Sequence, residues 1–145
     1  MVKKRHTVQN NLIADVEERL VRYLSETYPG RIHDKRICDE KEPGFPSDIG
    51  LFQDTGFQGY PPAGVDIYQP KKKPTGKELT PEEKAENKIL SSIRILMEHI
   101  IAGVKRCRIV KDVLRNTQLC FADQVMEIAC GLHNFRTILR YNMLE

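Results

Sequence analysis

A change of hydrophobic period at Thr80 constrains this chain more than any other feature. The run TPEE at 80–83 combines an N-cap hydroxyl, proline at the first helical position and glutamate three residues after the cap, which together form a capping box. Apolar residues then recur at three- and four-residue spacing, namely Ile89, Ile93, Leu96, Met97, Ile100 and Val104. The pattern predicts a long amphipathic helix that begins at Pro81.

The rest of the chain predicts strands, loops and a second helix. Residues 6–14 and 19–25 are short β-prone runs around a turn at 15–18, and residues 33–40 suit a short helix. Residues 49–54 predict a buried strand that ends at Asp54, and residues 65–70 another strand. The second amphipathic helix has the apolar stripe Phe121, Val125, Ile128, Leu132, Phe135 and Leu139. We therefore expect one α/β domain over residues 1–145, with a sheet covered by helices.

Composition excludes several classes of protein. With 30% charged residues and no run of about 18 apolar residues, the chain is not expected to cross a membrane. The N-terminal run MVKKRHTVQNN has no apolar segment of the signal-peptide type, which favours a cytoplasmic protein. The four cysteines form no CxxC pair, so we expect free thiols, with Cys107, Cys120 and Cys130 as small core residues.

Positive charge is concentrated in two segments, although the net charge is only +3. Residues 71–77 contain the four lysines Lys71, Lys72, Lys73 and Lys77 and no acid. Residues 94–115 contain six Lys or Arg against Glu98 and Asp112. Both segments suit contacts to phosphate groups, and both equally suit solvated surface.

Three charged residues of the predicted long helix lie on one face. Arg94, Glu98 and Lys105 fall within an arc of about 40° at 100° per residue. A glutamate flanked by basic residues can ligate a divalent cation while its neighbours hold phosphates, and the same spacing also suits an ordinary surface ladder of ion pairs.

Two aspartates offer further carboxylates. Asp54 stands where an apolar run meets the turn DTGF, and Asp34 stands at the start of the predicted short helix. Each is a candidate metal ligand, and each also suits a structural role, as an Asx turn for Asp54 and a helix N-cap for Asp34.

Taken together, these residues resemble the DDE transposases, the nucleases of bacterial insertion sequences. DTGFQGY at 54–60 is similar to their aspartate-x-glycine-aromatic motif, and Arg94, Glu98 and Lys105 match their Arg-x3-Glu-x6-Lys signature. Further stretches resemble the branch shared with harbinger-type elements: KKRHTVQN, LSETYPGRIHDKRI, KKKPTGKELTPEEKAEN and ACGLHNFR. The resemblance covers essentially the whole chain.

The resemblance implies a ribonuclease H-like mixed sheet flanked by helices, and metal-dependent DNA cleavage and strand transfer. It implies Asp54 and Glu98 as catalytic ligands of Mg²⁺ or Mn²⁺, with Asp34 as a further metal ligand. It also implies contacts to double-stranded DNA, the transposon ends and target, from Arg94, Lys105, Lys71, Lys72, Lys73 and Lys77. We further expect a homo-oligomer on DNA, associated with the bacterial nucleoid.

One part of the family pattern is missing. The first acid of the triad lies on an opening strand in an Asp-x-Thr type motif, and Asp15, in a predicted turn, does not match it. We therefore expect an N-terminally truncated domain without its first strand or a DNA-binding segment, either a partial copy or one needing a complementing N-terminal fragment. Two alternatives remain: a non-catalytic DNA-binding remnant, and a zinc site from Cys120, Cys130 and His133 or from Cys38 and His33.

Overall fold

The computed structural model describes residues 8–60, 62–73, 75–76, 78–112, 116, 118 and 120–142. These residues form six short strands and four helices, in agreement with the expected α/β class. The strands are β1 (Val8–Gln9), β2 (Leu12–Ala14), β3 (Val21–Leu24), β4 (Tyr28–Pro29), β5 (Gly50–Phe52) and β6 (Asp66–Tyr68). The helices are α1 (Asp34–Lys41), α2 (Pro81–Val104), α3 (Arg108–Lys111) and α4 (Phe121–Asn142).

The chain divides into two compact units. One comprises Met1–His33 and Leu96–Glu145, and the other comprises Asp34–Ile95. The first unit therefore holds β1–β4, the C-terminal part of α2, α3 and α4, and the second holds α1, β5, β6 and the N-terminal part of α2. Within the described residues the strands pair two by two: β1 with β4 and β2 with β3 antiparallel, and β5 with β6 parallel.

The predicted hairpin is confirmed as β2 and β3. Leu12 pairs with Leu24 and Ala14 with Val21. The turn between them is closed by Asp15, whose Oδ1 accepts the backbone N–H groups of Glu17 and Glu18 at 2.8 and 2.9 Å. Asp15 is thus a turn-forming residue, as the sequence predicts.

The core of the first unit lies where α2 and α4 meet the hairpin. Its buried members are Val21, Ile100, Val104, Ala129 and Cys130. Small residues let α4 approach α2 closely. A Cβ added to Gly103 would lie 2.3 Å from Nδ1 of His133, so the two helices meet at this glycine.

Polar side chains of α4 form hydrogen bonds to the backbone of β3 and of the segment that follows it. Asn134 accepts the N–H of Val21 at 2.8 Å through Oδ1 and donates to the Val21 carbonyl at 2.9 Å through Nδ2. Nearer the start of the helix, Asp123 accepts the N–H of Thr27 at 2.6 Å. The backbone N–H and carbonyl of Val21 in β3 and the N–H of Thr27 are satisfied in this way.

The capping box is confirmed at the start of α2. The Thr80 hydroxyl accepts the N–H of Glu83 at 3.2 Å, and the Glu83 carboxylate accepts the N–H of Thr80 at 3.0 Å. The helix runs for 24 residues from Pro81, and no helix in the described part of the chain is long and apolar enough to cross a membrane.

Two predictions of burial are wrong. In the second unit Phe52 is 40% exposed and stacks on Tyr68 at 5.2 Å between ring centroids, because two parallel strands alone cannot enclose their side chains. In α4 the predicted apolar stripe lies largely in solvent, with Ile128, Leu132, Phe135 and Leu139 all exposed. The buried face of α4 instead carries Ala129, Cys130 and His133, roughly 130° around the helix.

The cysteines are free, but only some are core residues. Cys38 and Cys130 are buried and Cys107 is intermediate. Cys120 is exposed, just before α4, with a left-handed backbone (φ 62°), so its assignment to the core is wrong.

The rates at which the thiols react test the burial of Cys130 and the exposure of Cys120. Burial raises the pKa of the Cys130 thiol, so at a given pH less reactive thiolate forms there than at an exposed cysteine. We expect Cys120 to react with Ellman's reagent at least about tenfold faster than Cys130 in the folded chain. Cys120→Ser should remove the fastest phase, and unfolding in urea should bring the remaining thiols to similar rates. Persistence of that phase in Cys120→Ser would contradict the placement.

Candidate functional site

Asp54 lies two residues after the end of β5 and caps a short 3₁₀ turn at Thr55–Phe57. Its Oδ1 accepts the N–H of Thr55 at 2.7 Å, and the residue is exposed. The local role is therefore the structural one that the sequence allowed. It does not prevent ligation, because a carboxylate has about four lone-pair sites and the cap uses one of them.

Asp34 lies beside the turn that Asp54 caps. It is the first residue of α1, is half-buried, and brings its Oδ2 to 3.1 Å from the position a Cβ would take on Gly56. The absence of a side chain at Gly56 thus leaves room for the carboxylate. From the sequence, both aspartates were candidate metal ligands, but their location beside the same turn was not predicted. The glycine in DTG is the one local signal for that location.

Arg94, Glu98 and Lys105 follow the predicted helical arc. Arg94 and Glu98 lie on α2, and all three residues are exposed. Lys105 is one residue past the end of α2, but its N–H still donates to the Ile101 carbonyl at 2.9 Å, so the helical turn continues to it. Glu98 and Lys105 belong to the first unit, whereas Arg94 and Asp54 belong to the second.

The lysines of the predicted basic segment already have partners in the second unit. Lys71 Nζ lies 2.8 Å from Glu86, and this hydrogen bond raises the pKa of Lys71. Lys72 donates to the Gln58 side chain at 3.2 Å, and Lys73 lies 3.9 Å from Glu78. Lys77 lies outside the described residues. Lys71 and Lys73 therefore each lie close to a carboxylate, and these negative charges lower the positive electrostatic potential of the segment.

The described residues contain no group of three or more His, Cys, Asp or Glu side chains that could hold a metal ion. Asp34 and Asp54 offer oxygen donors of the kind that Mg²⁺ and Mn²⁺ prefer. Among the residues suggested for a zinc site, Cys130 is buried, and Nε2 of His133 lies 3.1 Å from the carbonyl oxygen of Arg19.

Sequence analysis missed one basic surface. Arg136 and Arg140 of α4 share a cleft with Arg19 and Arg106 in the first unit. No linear segment carries the four arginines, so a scan of charge along the chain does not find them. The spacing of 136 and 140 on one helical face is the only local signal.

Comparison with known proteins gives two positive results. The sequence model described as DDE superfamily endonuclease matches residues 1–134. The chain is also 30% identical over 135 residues to a protein of Microchaete diplosiphon described as a probable transposase for insertion sequence element IS702. This alignment covers 93% of the chain and 48% of the relative, so the chain spans about half of that protein's length. No solved structure matches significantly.

Proposed function

The chain belongs to the DDE superfamily of endonucleases, and from this we propose that it takes part in metal-dependent DNA cleavage and strand transfer by an insertion-sequence transposase. The observation that carries the proposal is the arrangement around Gly56, where the Asp34 carboxylate adjoins the turn capped by Asp54. Carboxylates on a short helix and a capped turn are held by backbone geometry, as ligands of hard cations need to be.

We assign the ligands of Mg²⁺ or Mn²⁺ as Asp54 and Glu98, with Asp34 as a further one. A bound pair of such cations activates an attacking oxygen and stabilises the leaving oxygen in displacement at phosphorus. The capping hydrogen bond from the Thr55 N–H keeps Asp54 Oδ1 oriented.

Arg94 and Lys105 are assigned to the DNA phosphates beside the carboxylates. Their exposed position on the side of α2 that carries Glu98 supports this role. The guanidinium suits a two-oxygen contact to phosphate, and the ammonium acts as a point charge. The lysines at 71–73 and Lys77 extend these contacts, with Lys71 exchanging its Glu86 partner for phosphate.

The proposed fold of the active domain is ribonuclease H-like, and the proposed partners are double-stranded DNA and other copies of the chain. The resemblance calls for a third carboxylate on a strand, in addition to the carboxylates assigned here. Bacterial cytoplasm, at the nucleoid, is the proposed location. If the carboxylates have lost their role, the chain is a non-catalytic DNA-binding remnant, whose DNA binding is indifferent to Mg²⁺.

Binding of Mn²⁺ to the full 145-residue chain tests the aspartate assignment. We expect Asp54→Asn and Asp34→Asn each to weaken binding by at least about tenfold, since each removes a charged ligand. Asp66→Asn, at an exposed acid of β6 in the same unit, is the matched control and should change it less than about twofold. Free Mn²⁺ is counted by electron paramagnetic resonance. Equal binding by all three variants, or no binding by the wild type, would contradict the assignment.

A further inference from the structure

A cleft of about 490 Å³ lies within the first unit. One wall is the face of α2 formed by Leu96, His99, Ile100 and Gly103, and the other is the face of α4 that carries His133, Arg136, Thr137 and Arg140. The side of α2 that lines the cleft, which also includes Ala102, is centred about 130° from Glu98 around the helix axis. It therefore differs from the face that carries Glu98 and Lys105.

The formal charges that line the cleft are all positive. Its lining includes four arginines, Arg19, Arg106, Arg136 and Arg140, and no acidic residue. Among the described residues, the ion pairs of the structure involve other cations and leave these four without a carboxylate partner. Gathering like charges costs free energy that an anionic ligand would offset.

The floor of the cleft is fixed by hydrogen bonds. Arg136 donates to the Gly103 carbonyl at 2.9 Å, and His133 Nε2 contacts the Arg19 carbonyl at 3.1 Å. Arg19 holds a left-handed backbone conformation (φ 58°), which is uncommon for a residue with a side chain. One donor of Arg136 is used in this way, and a guanidinium has five, so the group remains able to bind a ligand.

The side chains that line the cleft indicate the chemical class of its ligand. Planar guanidinium groups pair with phosphate through two parallel hydrogen bonds, and exposed His99, Arg106 and Arg140 form an open cleft rather than a closed chamber. An open cleft whose formally charged side chains are all cationic suits a charged polymer that remains partly in water.

We propose that this cleft binds a phosphodiester segment of double-stranded DNA outside the site of cleavage, so that Arg19, Arg106, Arg136 and Arg140 position the duplex. We take DNA as the polymer because of the function proposed above. The contacts are to the backbone, so binding is independent of sequence and weakens with salt.

Fluorescence anisotropy of a labelled duplex of arbitrary sequence, with the full chain and EDTA, tests the cleft. We expect Arg106→Gln/Arg140→Gln to weaken binding between about ten- and a hundredfold at about 0.1 M salt, and to lower the slope of log affinity against log salt by about 1.8. Neither side chain takes part in the hydrogen bonds of the cleft floor, so the fold should persist, which circular dichroism verifies. Arg106→Lys/Arg140→Lys should recover part of the affinity.

The matched control is Arg108→Gln/Lys111→Gln, which removes the same charge from the exposed helix α3. It should weaken binding less than about threefold. Equal losses in the two double variants, or no DNA binding by the wild type, would overturn the proposal. Binding of inorganic phosphate by the wild type without any binding of the duplex would also overturn it, and would assign the cleft to a free phosphate anion. Because EDTA removes divalent cations, these outcomes are independent of the roles proposed for Asp54 and Glu98.

Discussion

Replacing Asn134 by alanine is expected to lower the free energy of unfolding by about 2–3 kcal/mol, a large effect for one side chain. The amide makes two hydrogen bonds to the backbone of Val21, at 2.8 and 2.9 Å, and Val21 itself is buried. Alanine leaves the N–H and the carbonyl of Val21 without these partners, so the penalty is that of two poorly solvated polar groups.

Urea unfolding of the full chain, followed by circular dichroism, measures this loss. Gln124→Ala is the matched control, because Gln124 is an exposed polar residue of the same helix. It should change stability by less than about 0.5 kcal/mol. A change that small in Asn134→Ala would show that the α4 contact to β3 does not hold the first unit together.

The start of α2 was predictable from local signals. The capping box sets the start of α2 because Thr80 and Glu83 satisfy each other's backbone N–H groups, whatever the rest of the chain does. The hairpin around Asp15 is equally local, since the aspartate closes its own turn. Both features depend on residues close in sequence, and both were placed correctly.

The orientation of α4 was not predictable in the same way. Hydrophobic periodicity selects the face with the largest apolar residues, such as Leu132 and Phe135, but the structure packs the face with the small residue Ala129 and with His133. Close approach at Gly103 and the hydrogen bonds of Asn134 determine this choice. These are contacts between elements more than 25 residues apart, and no window along the sequence contains them.

In the candidate site, too, features within one helix were predictable from the sequence and contacts between elements were not. Spacing alone predicts that Arg94, Glu98 and Lys105 share a helical arc, because the helical turns of α2 continue without a break from Arg94 to Lys105. The proximity of Asp34 to Gly56 depends on how α1 packs on the turn after β5. The arginines of the cleft come from three separate parts of the chain, so only the fold brings them together.

The largest expected effect concerns the two carboxylates assigned to catalysis. In a full-length relative, alanine at the position of Asp54 or of Glu98 should lower the rate of DNA cleavage by at least about a hundredfold, since loss of a metal ligand removes several kcal/mol of transition-state stabilisation. DNA binding in EDTA should remain within about twofold of the parent, because phosphate contacts supply that affinity. Alanine at the position of Glu127, an exposed acid of α4, is the control and should leave cleavage unchanged.

The most direct test is the rate of Mg²⁺-dependent strand cleavage at transposon ends by that relative, with and without the Glu98 substitution. The account predicts cleavage that requires Mg²⁺ or Mn²⁺ in the parent and falls to background in the variant, while binding persists. Cleavage by the Glu98 variant at the parental rate would contradict the assignment of the site.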